Sequence, residues 1–62
     1  MYEKFAELLA KTNKTTYQIS KDTGIAQSIF SEWKNGRIKT LGADKLKILA
    51  EYFGVSIEYF LE

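Results

Sequence analysis

The sequence predicts an all-α fold, a single domain of five short helices. Three observations carry that expectation. Apolar residues recur at helical spacing along the whole chain, with no sustained alternation of the kind a strand requires. No proline interrupts any of these stretches. One apolar spacing also recurs three times, in Ile25/Phe30, Leu41/Leu46 and Val55/Phe60. That is the spacing of a hydrophobic staple, in which the residue before a helix cap packs on the fourth helical residue.

The elements follow in order. Tyr2, Phe5, Leu8 and Leu9 line one face of a first helix over about residues 2–12, and Asn13 and Lys14 break the pattern. Thr15 opens "TTYQ", a Thr-x-x-Gln capping box that starts a second helix over about 16–23. Ile19 is its core residue, and Gly24 ends it by taking the left-handed conformation. The third helix covers about 27–35. The staple at Ala26 fixes its entry, and the wheel places Ala26, Phe30 and Trp33 toward the core. A staple across Gly42 opens a fourth helix over about 43–53, with Leu46, Leu49, Ala50 and Phe53 as its core stripe and Gly54 as its stop. A staple across Ser56 opens a fifth helix from about 57 onward. The second and third helices are joined by a few residues around Gly24, which is the helix-turn-helix pattern.

The composition narrows the chemistry. The 62 residues allow one domain at most, and a chain of that length buries only about 60% of its unfolded surface. There is no cysteine and no histidine, so disulfides, zinc-binding thiolates and the usual general base are all missing. No phosphate-cradling glycine loop and no paired carboxylates stand out, and neither an enzyme nor a cofactor is expected. No apolar run spans a membrane, and "MYEKFAELLAK" is not a signal peptide. These points suggest a cytoplasmic protein without an evident small-molecule site. The net charge of +1 is unevenly placed. Residues 11–40 carry six cations against Asp22 and Glu32, whereas residues 41–62 carry two cations against four carboxylates. One face thus suits an anion.

Opposite the core arc of the third helix lie Gln27, Ser28, Ser31, Glu32 and Asn35, with Ile29 and Lys34 on the shoulders. This face is short and polar, and it lacks the long Lys/Glu pairs of a merely solvated helix. It suits insertion into a DNA major groove, which is about 12 Å wide and accepts one helix. Gln can pair with adenine, Ser serves several bases, and an apolar side chain meets a thymine methyl. Lys34, Arg37 and Lys39 follow where phosphates would lie. Trp33 reads as core. Tyr17 suits either core or phosphate contact, and Lys21 and Asp22 read as ordinary surface.

"TTYQISKDTGIAQSIFSEWKNG", followed by "KLKILAEYFGVSIEYFL", resembles the Cro/repressor helix-turn-helix family of bacterial and phage regulators. The likeness is to the form common in Gram-positive bacteria and their phages, and it covers nearly the whole chain. It implies a compact, lambda-repressor-like DNA-binding domain spanning residues 1–62. It also implies a transcriptional regulator, expected to be a repressor, that binds a double-stranded, pseudo-palindromic operator as a homodimer. On this resemblance the base-reading positions are Gln27, Ser28 and Glu32, with Ile29 and Ser31 secondary. The phosphate positions are Thr16, Tyr17, Asn35, Arg37, Lys39 and Thr40, with Lys34 added by its place beside them.

Four positions depart from the family pattern. Many members have glutamine at Thr16. Many have a capping Ser or Thr at Ala26, whose loss costs about 1 kcal/mol. Some pair an arginine and a glutamate where this chain has Leu9 and Lys34, a joint change that leaves no orphan charge. The fifth helix is too short to bury all of Ile57, Tyr59, Phe60 and Leu61, so Tyr59 or Leu61 is expected to join a weak two-fold contact. The competing reading is a protein-interaction module, such as an antitoxin or adaptor built on the same fold.

Overall fold

The computed structural model describes residues 2–61. It is all-helical among those residues, with α1 Tyr2–Thr12, α2 Thr16–Thr23, α3 Gln27–Lys34, α4 Ala43–Phe53 and α5 Ile57–Leu61. The packing is α1 on α5, α5 on α4, α4 on α2, and α2 on α3. No helix among the described residues is long and apolar enough to cross a membrane.

The helices are terminated locally. The amide of Lys14 donates to Leu9 O, that of Arg37 to Glu32 O, and that of Val55 to Ala50 O, each closing a six-to-one turn behind a left-handed residue. At α1 that residue is Asn13 (φ 57°), a non-glycine side chain that tolerates the left-handed region. At α2 the closure is tighter. Gly24 has φ 82°, and its amide donates to Ser20 O at 2.9 Å. The next amide, that of Ile25, donates to Thr23 Oγ1. α2 therefore ends and α3 begins within three residues.

A Cβ placed on Gly24 would meet nothing within 4 Å, so substitution there strains the backbone alone. Gly24→Val is expected to cost on the order of 1–3 kcal/mol. In a domain of this size that lowers the melting temperature by roughly 5–20 °C in thermal unfolding followed by circular dichroism. Gly24→Asn should cost less, because Asn visits this region more readily. Equal melting of Gly24→Val and the parent would refute the claim that this turn depends on its positive φ.

The helix starts are uneven. Thr15 caps α2, its Oγ1 accepting from the amide of Gln18 at 3.2 Å. Ala26 and Gly42 provide no side-chain cap for α3 and α4. The staples supply the anchoring there: Ile25 and Phe30 are both buried, as are Leu41 and Leu46. In the third staple Phe60 is fully buried and Val55 half-buried. Ala26 itself is exposed, contrary to the wheel. With φ −61° and ψ 140° it is extended rather than helical, so the 100° step does not apply to it, and Ile25 takes the core place instead.

Phe5 is the centre of the core. It is fully buried and stacks on Phe30 with ring centroids 5.0 Å apart. It also meets Trp33 at 5.4 Å and Phe53 at 6.1 Å. These contacts tie α3 to α1 and α4, and so set which face of α3 points outward. Leu9 and Phe53 are only partly buried, at the edge of the core.

Asp22 lies on the surface, as expected, and there it joins two helices. Tyr52 on α4 donates its hydroxyl to Asp22 Oδ2 on α2, and Lys14 Nζ lies 5.5 Å from the Tyr52 ring centroid. The Asp22 carboxylate, accepting that hydrogen bond, raises the Tyr52 pKa above its ordinary value. The protonated phenol is therefore favoured in the fold, and the stability it confers is complete below the unfolded tyrosine pKa of about 10. It is lost as pH rises through the folded value. The parent should accordingly lose melting temperature more steeply than Tyr52→Phe as pH rises from about 9.5 to about 11. Parallel curves for the two proteins would rule this linkage out.

Candidate nucleic-acid interface

The N-termini of α2 and α3 open onto one surface. Thr16 at the start of α2 and Gln27, Ser28, Ser31 and Lys34 along α3 line an open concavity of about 410 Å³, with Tyr2 of α1 on its rim. Gln27 and Ser28 occupy the first two positions of a helix whose cap residue offers no side-chain acceptor, so their amides receive no side-chain cap. Two helix N-termini, each with partial positive charge, and one lysine thus border the same space. This is an environment for an anion beside polar side chains that carry both donors and acceptors.

Phe30 and Trp33 hold α3 from beneath, 1% and 3% exposed, and leave Gln27, Ser28 and Ser31 exposed. Ile29 and Glu32 are half-buried. Ile29 packs against the edge of the core, which limits its reach outward. The backbone of Glu32 is fixed by its carbonyl, which accepts from both Arg37 and Ile38 amides. The helix is one residue shorter than the spacing indicates, and Asn35 is its C-cap.

The loop after α3 is shaped by its apolar residues. Ile38 and Leu41 pack inward, and Arg37, Lys39 and Thr40 stay exposed between them. The Thr40 hydroxyl donates to Leu41 O. Gly36, at φ 82°, turns the chain sharply behind α3 and brings this loop back beside Trp33 and Lys34. Among the described residues Lys34, Arg37 and Lys39 form no ion pair, which leaves their charge for a partner. Tyr17 is 63% exposed and so is not core; it stands next to Thr16 on the outer side of α2.

The residues gathered at the concavity come from three helices, and the basic loop flanks them. Tyr2 belongs to the same surface although the apolar spacing assigns it only to the core. Its half-buried ring sits edge-on to Trp33 at 5.4 Å. The signal available in the sequence is chemical, since tyrosine carries a polar end that phenylalanine at this position would lack. No group of three or more His, Cys, Asp or Glu among the described residues is arranged to hold a metal ion.

A helix-turn-helix domain family matches residues 2–62. No curated protein and no solved structure matches the chain. The family match supports DNA as the partner and transcription regulation as the role. With a family pattern covering residues 2–62 and five helices that include a glycine-turned α2–α3 pair, the chain belongs to the helix-turn-helix domain family, consistent with its Cro/repressor-type sequence features.

Proposed function

We propose that residues 1–62 form a sequence-specific DNA-binding domain of a transcriptional repressor that reads the major groove with α3. One observation carries the reading: the exposed polar face of α3 and the N-terminus of α2 line a single concavity beside the exposed Arg37 and Lys39 of the following loop. Gln27 and Ser28 enter the groove first, Ser31 and Glu32 lie one turn deeper, and Ile29 meets a thymine methyl at the edge. Thr16 and Tyr17 hold one phosphate strand, Thr16 through its backbone amide. Lys34, Asn35, Arg37, Lys39 and Thr40 hold the other. Such a regulator works in the cytoplasm, where its operator is.

The operator is read by a homodimer. Leu61 is 59% exposed, and Ile57 and Tyr59 are partly buried beside it, an apolar end to α5 that a second copy would cover. The two-fold contact is weak in the free protein and strengthened on DNA. Selection of bound duplexes from a random pool tests both statements. It should return a pseudo-palindrome with half-site centres about 34–36 Å apart. Single, unrepeated sites would remove the dimer from the reading. No enrichment of any duplex at low salt would instead favour a protein-interaction module.

A further inference from the structure

Tyr2 and Lys34 stand together between two concavities. The first is the one bordered by Thr16, Gln27 and Ser28. The second, of about 450 Å³, is bordered by Glu3, Trp33, Gly36, Ile38 and Lys39. Tyr2 and Lys34 line both. A nucleic-acid strand running from the first concavity to the second would pass this pair.

The Tyr2 ring is held rigidly for such a task. It lies edge-on to Trp33, with an interplanar angle of 87°, and 5.7 Å from Phe5. Both neighbours are core residues, 3% and 0% exposed. The hydroxyl makes no hydrogen bond to another described residue, and no buried side-chain polar atom among those residues lacks a partner, so it meets solvent. A neutral donor and an exposed ammonium group that forms no ion pair among the described residues thus line the same two concavities. A phosphodiester accepts from both, and the rigid ring lowers the ordering cost of the contact.

We propose that Tyr2 is a DNA-contacting residue whose hydroxyl donates, together with Lys34, to one backbone phosphate between the α3 groove and the Lys39 loop. This rests on the DNA-binding reading above and adds α1 to the interface. The test is Tyr2→Phe, which retains the ring and its packing, measured on the duplex selected by the parent. Binding should fall about tenfold, as for a lost hydrogen bond to a charged group. The loss should be the same on matched and scrambled duplexes, with the melting temperature unchanged. The salt slope should also hold, because no charge is removed, whereas Lys34→Ala should reduce it by about 1.

A scan of single methylphosphonate substitutions along the duplex should find one phosphate at which the Tyr2→Phe penalty disappears and that of Lys34→Ala shrinks. If the parent binds a duplex and Tyr2→Phe binds it equally well, the contact is wrong while the DNA reading stands. The contact is equally wrong if the penalty persists at every substituted phosphate. If the parent binds no duplex, both fall together.

Discussion

Phe5→Ala is expected to abolish cooperative folding at 25 °C. Truncating a fully buried phenylalanine costs about 3–5 kcal/mol, through lost burial and the cavity left behind. Phe5 also supports the Phe30, Trp33 and Phe53 rings at 5.0, 5.4 and 6.1 Å, and such pairs add about 0.5–1.5 kcal/mol beyond burial. A domain of 62 residues has roughly 3–9 kcal/mol of stability in all, at about 0.05–0.15 kcal/mol per residue. One substitution therefore removes most or all of the margin. Thermal unfolding by circular dichroism should show a broad, shallow melt without a folded baseline. Phe5→Leu, which fills most of the space, should retain a cooperative transition at lower temperature. A Phe5→Ala protein melting within a few degrees of the parent would mean that the aromatic cluster does not hold the core. The substitution would also release Phe30 and Trp33, so DNA binding should vanish with the fold.

The second large effect separates specificity from affinity. Gln27 opens α3 on the concavity, and Arg37 lies on the exposed loop behind it. Gln27→Ala should cost about 1–3 kcal/mol on the preferred operator and relax the choice at one base pair. Its salt slope should stay nearly constant, since no phosphate contact is lost. Arg37→Ala should weaken all duplexes alike and lower the slope of log K against log salt by about 1. Titrations of both variants on matched and scrambled duplexes at several salt concentrations give the answer. Equal weakening of both duplexes by Gln27→Ala would take base reading away from Gln27.

The features legible in the sequence are those set by neighbours along the chain. The Thr15 cap, the Gly24 turn and the apolar pair Ile25/Phe30 are each written within a few residues, and each has a local physical cause. Ala26 shows the limit of periodicity, because a cap residue leaves the helical wheel at the position where the wheel begins. The Tyr52–Asp22 hydrogen bond joins residues 30 apart, and no spacing rule reaches that far. At the interface, helical phase separates Gln27, Ser28 and Ser31 from Phe30 and Trp33. It does not bring Thr16 or Tyr2 beside them, which requires the packing of α1 and α2 around the Phe5 cluster. The ring of Tyr2 reads as core from its spacing, and its polar end becomes visible only with the shape of the surface.

The helix terminations have a kinetic consequence. α1, α3 and α4 each close on a six-to-one bond within their own last turn, and α2 closes on a five-to-one bond. The connections between helices are short, so much of the chain's order forms among near neighbours and little loop-closure entropy has to be met first. Chains built this way fold in microseconds to milliseconds. A domain with so narrow a stability margin opens often, and rapid reclosing keeps each open interval brief. Cleavage by a protease would then follow the equilibrium fraction of open chains rather than the rate at which they open.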